Sequence, residues 1–372
     1  MESCSLPIWT GSQRIKCCCT NFDRREAYLR GRGSGTEENV LERIRRAGTC
    51  LRSGSAGLRS DARSRFLKLG IGDDAALVSG SPGYEMVLTG DWFLEGTHFL
   101  RDKHPGDAVG WKCLARAVSD IAAMGAVPRC FLLSLALPRE LAGSWLDDFL
   151  GGLKRAAGRF GCSLAGGDTT ERREVLINVT VVGEVRRGLE VRRSGAHPGD
   201  IIYVSGRLGE AELGLQLLRE RKRGFGVREA RLRKHLYPEP RVELGRWLSE
   251  KRVPSAMMDV SDGLSSDLQR LCEASGVGAL IRADLLPTVR VTKLERNRGV
   301  DPLQLALHGG DDYELLFTVR KSKAERLPRS VGGVGITQIG EITRPREVML
   351  TDGDGRPRVL KPRGWDPFRR SK

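Results

Sequence analysis

An α/β or α+β fold is predicted by three observations. Strand-like and helix-like segments alternate along the chain, 40% of the 372 residues are apolar, and glycine is frequent, at 46 positions, as in proteins with many tight turns. The length exceeds that of a typical single domain, so two domains of ordinary size are expected, each able to hold its own core. Residues 1–36 read as a basic extension, 37–188 as a first domain and 189–372 as a second.

After the extension, "TEENVLERIRRAG" reads as a short amphipathic helix, with Thr36 as N-cap and Val40, Leu41 and Ile44 on one face. Residues 52–65, rich in Arg, Ser and Gly, read as a loop. "EMVLTGD" at 85–91 is a buried strand that ends in a carboxylate. "GDAVGWKCLARAVSDIAAMGA" is a helix in which Asp107 caps the start and Gly125 takes the C′ position. "RCFLLSLALP" is a strand stopped by Pro138, "SWLDDFLGGLKRAAGRFG" a helix, and "VLINVTVVGEV" at 175–185 a β-branched strand. Near "RRSGAHPGD" glycine, proline and charge interrupt the pattern, which sets the boundary at about 188. Two strand-turn-helix units follow, "IIYVSGRLGEAELGLQLL" and "SAMMDVSDGLSSDLQRLCEASG", and in "LALHGGDDYELLFTV" a glycine-acid turn leads into a strand. There is no repeat of solenoid length.

The formal charge of +15 fits a nucleic-acid partner, a membrane surface or phosphorylated ligands. No aromatic-interleaved basic patch and no zinc-finger, RRM or KH pattern supports the first. No apolar run approaches the roughly 20 residues of a membrane span, the longest being "CFLLSLAL" at 130–137. Of nine cysteines, Cys17, Cys18 and Cys19 are contiguous and the others lie far apart, which is neither a disulfide nor a zinc pattern, so a reducing cytoplasm is expected. The N-terminus lacks a secretory h-region. Its opening residues are nearly acid-free, so a transit-peptide reading stands beside that of a disordered or spuriously translated extension.

Acids recur just after strands or at helix ends, usually beside glycine. They are Asp73 and Asp74 in "GIGDD", Asp91 in "LTGD", Asp120 in "AVSD", Asp168 in "AGGDTT", Asp259 and Asp262 in "MDVSDG", and Asp311 and Asp312 in "GGDDYE". Strand ends converge on one edge of an α/β sheet. Acids gathered there raise one another's pKa unless cations intervene, and an oxygen-only donor set suits Mg²⁺ together with substrate phosphates. Each acid also has a structural reading. Ser261 and Asp262 fit as caps of the following helix, and Asp73, Asp168 and Asp311 fit as turn residues. Asp120 resists such a reading, because the helix dipole disfavours an acid in the last turn.

A P-loop and the kinase H-R-D loop are absent, and "GRGSG" at 31–35, without a preceding strand, reads as linker. "SGRLGEAELG" joins strand to helix, and its amides either face an anion or form an ordinary turn. Arg192 and Arg193 fit either phosphate ligands or solvated surface residues. The five histidines form no Ser-His-Asp or Cys-His pattern, and His98, seven residues after Asp91, fits a structural role or a place in the site.

Taken in order, "GIGDDAALV", "TGDWFLEGTHF", "GWKCLARAVSDIAAMGAVP", "GGDTT", "RSGAHPGDIIYVSG", "YPEPR", "MMDVSDGLSSDL" and "GGDDYELLF" closely resemble the thiamine-monophosphate kinase family, from about residue 37 to the C-terminus. That family belongs with aminoimidazole ribonucleotide synthetase and selenophosphate synthetase. The resemblance implies an N-terminal α/β domain that binds ATP and Mg²⁺ and pairs in a homodimer through a β-barrel, followed by a C-terminal α/β domain. It implies ATP-dependent phosphorylation of thiamine monophosphate to thiamine diphosphate with several Mg²⁺ ions, by direct in-line transfer and without a protein nucleophile. By position it implies Asp74, Asp91, Asp120 and Asp259 as the main Mg²⁺ ligands, with Thr89 and Asp262 in support. Gly167 and Asp168 fall at the nucleotide and metal contact, Arg193 and Ser261 at other ATP contacts, and His98, Asp311 and Trp365 where the family contacts thiamine monophosphate. Two positions depart from the family pattern. Gly90 stands where a threonine is common, leaving only backbone for that metal contact, and Asp311 replaces a glutamate one methylene longer. Rival readings are another synthetase of the superfamily and a basic nucleic-acid-binding protein. Selenophosphate synthesis needs a reactive Cys in a Gly/Lys-rich context, which Cys17 to Cys19 lack.

Overall fold

The computed structural model describes residues 43, 44, 46, 66–69, 77–220, 229–352 and 355–366. Asp73, Asp74, the extension 1–36 with its Cys17 to Cys19, the Thr36 cap and the whole 52–65 loop lie outside them. Residues 43, 44 and 46 are helical. Strands β1 (Leu67–Leu69) and β2 (Leu77–Val78) pair antiparallel.

The first sheet holds β3 (Tyr84–Leu94), β4 (Val127–Leu137), β5 (Ser163–Glu171) and β6 (Leu176–Arg186) in the order β3-β6-β4-β5. Only β4 and β5 run parallel. Helices α1 (Gly106–Ala123) and α2 (Ser144–Phe160) cover one face. In α2, Leu146, Phe149, Leu150, Leu153, Ala156 and Ala157 recur at three- and four-residue steps and are buried against that sheet. The two helices cross at van der Waals distance because both contact points are glycine: a Cβ on Gly110 would overlap the Phe149 carbonyl, and one on Gly152 the Asp107 carbonyl.

Helix α1 begins two residues earlier than a cap at Asp107 requires. Pro105 is the N-cap position, without a side-chain cap, and Asp107 lies inside the first turn. Its carboxylate accepts instead from Arg155 at 2.6 Å and the Tyr237 hydroxyl at 3.0 Å. Gly125, at φ 70°, ends the helix as expected.

The second sheet contains β7 (Ile201–Ser205), β8 (Pro254–Val260), β9 (Gly278–Arg282), β10 (Glu314–Val319), β11 (Ser330–Val331), β12 (Val334–Thr343), β13 (Val348–Thr351) and β14 (Pro357–Val359). Its order is β14-β13-β9-β12-β7-β10-β8, with β11 on β12, and only β9 and β13 are parallel. Both faces are covered. Helix α6 (Leu264–Ser275) packs Leu264, Leu268 and Leu271 against Ile202, Val204, Met258 and Leu316. Helix α5 (Val242–Glu250) packs Leu244 and Leu248 against Tyr203, Met257, Leu315 and Phe317 on the other side. The intervening helices are α3 (Glu210–Glu220) and α4 (Glu229–Leu236), and later ones α7 (Lys293–Asn297), α8 (Pro302–His308) and α9 (Lys321–Ala324). Every residue of β10 is buried, with Leu316 packed on one face and Leu315, Phe317 and Val319 on the other.

Helix α1 ties the two sheets together. Its Ala123 belongs to the α5 core, and Gly245 of α5 abuts the Ala122 carbonyl. Because both sheets are mostly antiparallel, the acids do not line a shared carboxyl edge as a doubly wound sheet would predict. They meet where α1 passes from one sheet to the other.

Candidate active site

A cavity of about 390 Å³ opens beside the C-terminal half of α1. Asp91 reaches it from β3, Asp120 from the last turn of α1, Asp259 from β8, and Asp262 and Asp311 from the turns after β8 and before β10. Ser261, His98 and Trp365 also line it. Eight of the residues expected from the sequence are thus brought together from five distant segments.

Strand alternation explains which β3 residues take part. Thr89, Asp91 and Phe93 share the face toward α1, while Met86, Leu88, Gly90 and Trp92 point the other way. Thr89 does not line the cavity but donates its hydroxyl to Asp120 Oδ2 at 2.6 Å. Ser119, one residue earlier on α1, donates to Asp259 Oδ2 at 2.7 Å. Adjacent residues of one helix are therefore tied to both sheets, Asp120 to Thr89 of β3 and Ser119 to Asp259 of β8.

The acids repel one another. Burial raises the Asp91 pKa, and Asp120 and Asp311 add to the rise while Arg116 opposes it. Asp259 is fully buried, and burial followed by the charges of Asp120, Asp267 and Asp91 pushes its pKa up, against the Ser119 hydrogen bond. An oxygen-only donor set under mutual repulsion suits a hard divalent cation such as Mg²⁺. Among the described residues no three His, Cys, Asp or Glu converge closely enough to hold an ion unaided. Asp74, the remaining expected ligand, lies outside them.

The turns are built by other carboxylates. Asp267 Oδ2 accepts from the amides of Ser261, Asp262 and Gly263 at 3.0 to 3.1 Å, so the N-terminus of α6 is closed from within the helix. The capping reading of Ser261 and Asp262 is thereby corrected: Gly263 is the N-cap residue and Asp262 pairs with Arg270 at 2.5 Å. Burial and the neighbouring Asp262 raise Asp267 to about 7. Asp312 reaches back to accept from Gly209 N at 2.5 Å and Ala211 N at 3.0 Å. The amides of "SGRLGEAELG" do face an anion, and that anion is the chain's own Asp312. Asp168 is not in a turn but in β5, opposite Ser134.

Asp311 and Tyr313 have left-handed backbones, at φ 66° and 49°, a conformation unfavourable for side chains with a Cβ. Their amides bond to Ser261 O at 2.8 Å and Val260 O at 2.9 Å, which pins the turn to β8. Burial opposes the charge on Asp311, but Lys112, Arg116 and His235 hold its pKa well below the usual carboxylate range. His98 Nδ1 accepts from the Leu94 amide at 3.0 Å. Burial, then the charge of Arg116 and of Lys112, lowers its pKa to about 4 against the pull of Asp311, so the ring is neutral near pH 7 with its proton on Nε2. Its ring centroid lies 6.4 Å from that of Trp365.

Four expected residues stand apart from this cavity. Gly90 lies on the outer face of the first sheet, Gly167 and Asp168 are exposed on β5, and Arg193 is exposed at the edge of the second unit. Sequence reading missed Lys112 and Arg116, although Lys112, Arg116 and Asp120 are spaced by four on α1 and so share one stripe.

The chain from 72 to 185 matches the family model "AIR synthase related protein, N-terminal domain", and 197 to 352 matches the corresponding C-terminal domain. It is 36% identical over 300 residues to thiamine-monophosphate kinase of Aquifex aeolicus, spanning 80% of this chain and 92% of the relative. The Escherichia coli K12 kinase is 37% identical over 309 residues, spanning 81% and 92%. The chain belongs to the thiamine-monophosphate kinase family. Solved members of the thiamine-monophosphate kinase family share its fold. The structure described as AaThiL complexed with AMPPCP and TMP matches with a TM-score of 0.69 at 36% identity, over 80% of this chain and 92% of that one. The kinase from Stenotrophomonas maltophilia K279a matches at 0.69 and 34% identity, over 87% and 98%. Hydrogenase maturation protein HypE, at 20% identity and a TM-score of 0.65, shares the fold alone.

Proposed function

We propose that this chain transfers the γ-phosphoryl group of ATP directly to thiamine monophosphate, forming thiamine diphosphate and ADP. The observation that carries this reading is the meeting of Asp91, Asp120 and Asp259 with His98 and Trp365 around one cavity. It is joined by near full-length similarity to kinases, one of which was captured with AMPPCP and TMP.

A phosphate oxygen is the nucleophile and another is the leaving group, so no strong protein base is required. The chain's task is to align two polyanions and tolerate their charge. Asp74, Asp91, Asp120 and Asp259 would hold Mg²⁺, supported by Thr89, Gly90, Asp168 and Asp262. Bound Mg²⁺ supplies neutralisation of the transferring phosphoryl group. Ser261, Gly167, Asp168 and Arg193 are assigned to ATP. His98 and Trp365 would flank the thiamine rings, the neutral imidazole offering Nε2–H as a donor, and Asp311 belongs to the same wall.

The kinase would act as a homodimer. In support, Met86, Leu88 and Trp92 on β3 are 51%, 63% and 56% exposed, and Leu132 on β4 shares their outer sheet face. A contiguous apolar face of this kind is rare on a monomer. Cytoplasmic residence is supported by Cys113, Cys130, Cys162 and Cys272, all buried and unbridged, and no helix among the described residues is long and apolar enough to cross a membrane. We place the junction of the two units near residue 188.

ATP consumption tests the function. ADP should form only when both Mg²⁺ and thiamine monophosphate are present. ADP release at an equal rate without thiamine monophosphate would refute the assignment.

A further inference from the structure

Both oxygens of the Asp311 carboxylate are engaged by the protein. Oδ2 accepts from Lys112 Nζ at 2.8 Å, and Oδ1 from the Tyr313 hydroxyl at 2.6 Å and Arg116 Nη1 at 3.3 Å. Lys112 is 1% exposed and also meets His235 Nδ1 at 3.2 Å, so this anchor cannot swing away. Three of the roughly four acceptor positions of this carboxylate are therefore taken by protein donors before any substrate arrives.

What this arrangement fixes is Arg116. Nη1 is held by Asp311 and by the Tyr313 oxygen at 3.0 Å, and the guanidinium lies 5.5 Å from the centre of the Phe93 ring. Nη2 is ion-paired with Asp91 Oδ1 at 3.7 Å, too long for a direct hydrogen bond. Nε is buried and finds no acceptor among the described residues. The Nε/Nη2 edge is the fork that grips a phosphate through two parallel hydrogen bonds, and here its Nε lacks a partner while its Nη2 has only the long contact with Asp91. Arg116 lines the cavity and shares Phe93 with His98, whose ring centroid is 5.9 Å from that of Phe93. Of the residues assigned to the nucleotide, Ser261 borders this cavity, whereas Gly167, Asp168 and Arg193 do not.

We propose that Arg116 binds the phosphate of thiamine monophosphate through its Nε/Nη2 edge, and that Asp311 is a positioning residue that aims Arg116 rather than a direct substrate contact. This rests on the kinase reading. The arrangement also accounts for a tolerated Asp at 311: a carboxylate that meets α1 instead of the ligand needs no longer reach.

Calorimetric titration with thiamine monophosphate and with thiamine, in Mg²⁺ without ATP, separates the phosphate contact from the ring contacts. Arg116→Met should weaken thiamine monophosphate by about tenfold or more and leave thiamine unchanged. Arg116→Lys should recover part of the loss, and Asp311→Asn should weaken thiamine monophosphate alone, by a smaller factor. Should Arg116→Met fail to fold, the other two variants carry the same comparison. Equal weakening of both ligands, or none, overturns the proposal. A wild-type protein that binds neither ligand refutes the kinase reading instead.

Discussion

Asp120 stands where a helix least favours it, in the last turn of α1 at the negative end of the dipole, held by the Thr89 hydroxyl at 2.6 Å. Asp120→Asn keeps the volume and removes the charge. It should lower kcat by about a thousandfold or more while leaving the far-UV spectrum and melting temperature unchanged, and near-normal turnover would exclude Asp120 from metal binding. Histidines set a separate pH dependence. His104, 4% exposed, bonds His235 Nε2 at 3.0 Å, and burial, then the charge of Lys112, lowers its pKa to about 4. The folded pKa lies below the unfolded value near 6.5, so the stability is present above pH 6.5 and lost as pH falls toward 4, by about 3 kcal/mol at most. Glu314, which burial disfavours but Lys234 and Arg241 hold at about 2, contributes stability that is fully present above pH 4.5 and lost only below it, outside the range from pH 6.5 to 4.5. The melting temperature of His104→Gln should therefore fall less than that of the wild type between pH 6.5 and 4.5. Parallel curves would contradict this. Residue types at the site were legible because acids beside glycine recur in order. The partners of those acids were not, because Asp312 meets amides at Gly209 and Ala211 and Lys112 meets Asp311, pairs separated by 101 to 199 residues.

At the scale of elements, the α1–α2 crossing decides where Arg116 and Asp120 sit relative to both sheets. Gly152→Ala would drive a methyl into the Asp107 carbonyl, with no flexible side chain to yield. The helices must separate, at a cost of roughly 2–4 kcal/mol. A urea midpoint lowered with an unchanged slope is the expected result, and an unchanged midpoint would mean the crossing can relax. The long strands and helices were readable because their periods are clean, as in α2, where each apolar step is buried. Strand direction was not. Alternating strand-helix units left α/β and α+β equally open, and long excursions between β7 and β8 and between β9 and β10 return the chain antiparallel.

At the scale of the molecule, a basic chain gathers acids where two sheets meet, and two phosphorylated substrates with their cations would complete the charge. The outer face of the first sheet supplies the remaining surface. Leu88→Glu, at the centre of the apolar face, should shift sedimentation from dimer to monomer at micromolar protein, and a wild type that sediments as a monomer would remove the basis for that assembly. The central claim is direct transfer from ATP to thiamine monophosphate. A single turnover with radiolabelled γ-phosphate, quenched and separated into protein, nucleotide and thiamine fractions, tests it most directly. Label should pass from ATP into thiamine diphosphate with none retained on the protein. Label trapped covalently on the protein, or released only as inorganic phosphate, would contradict it.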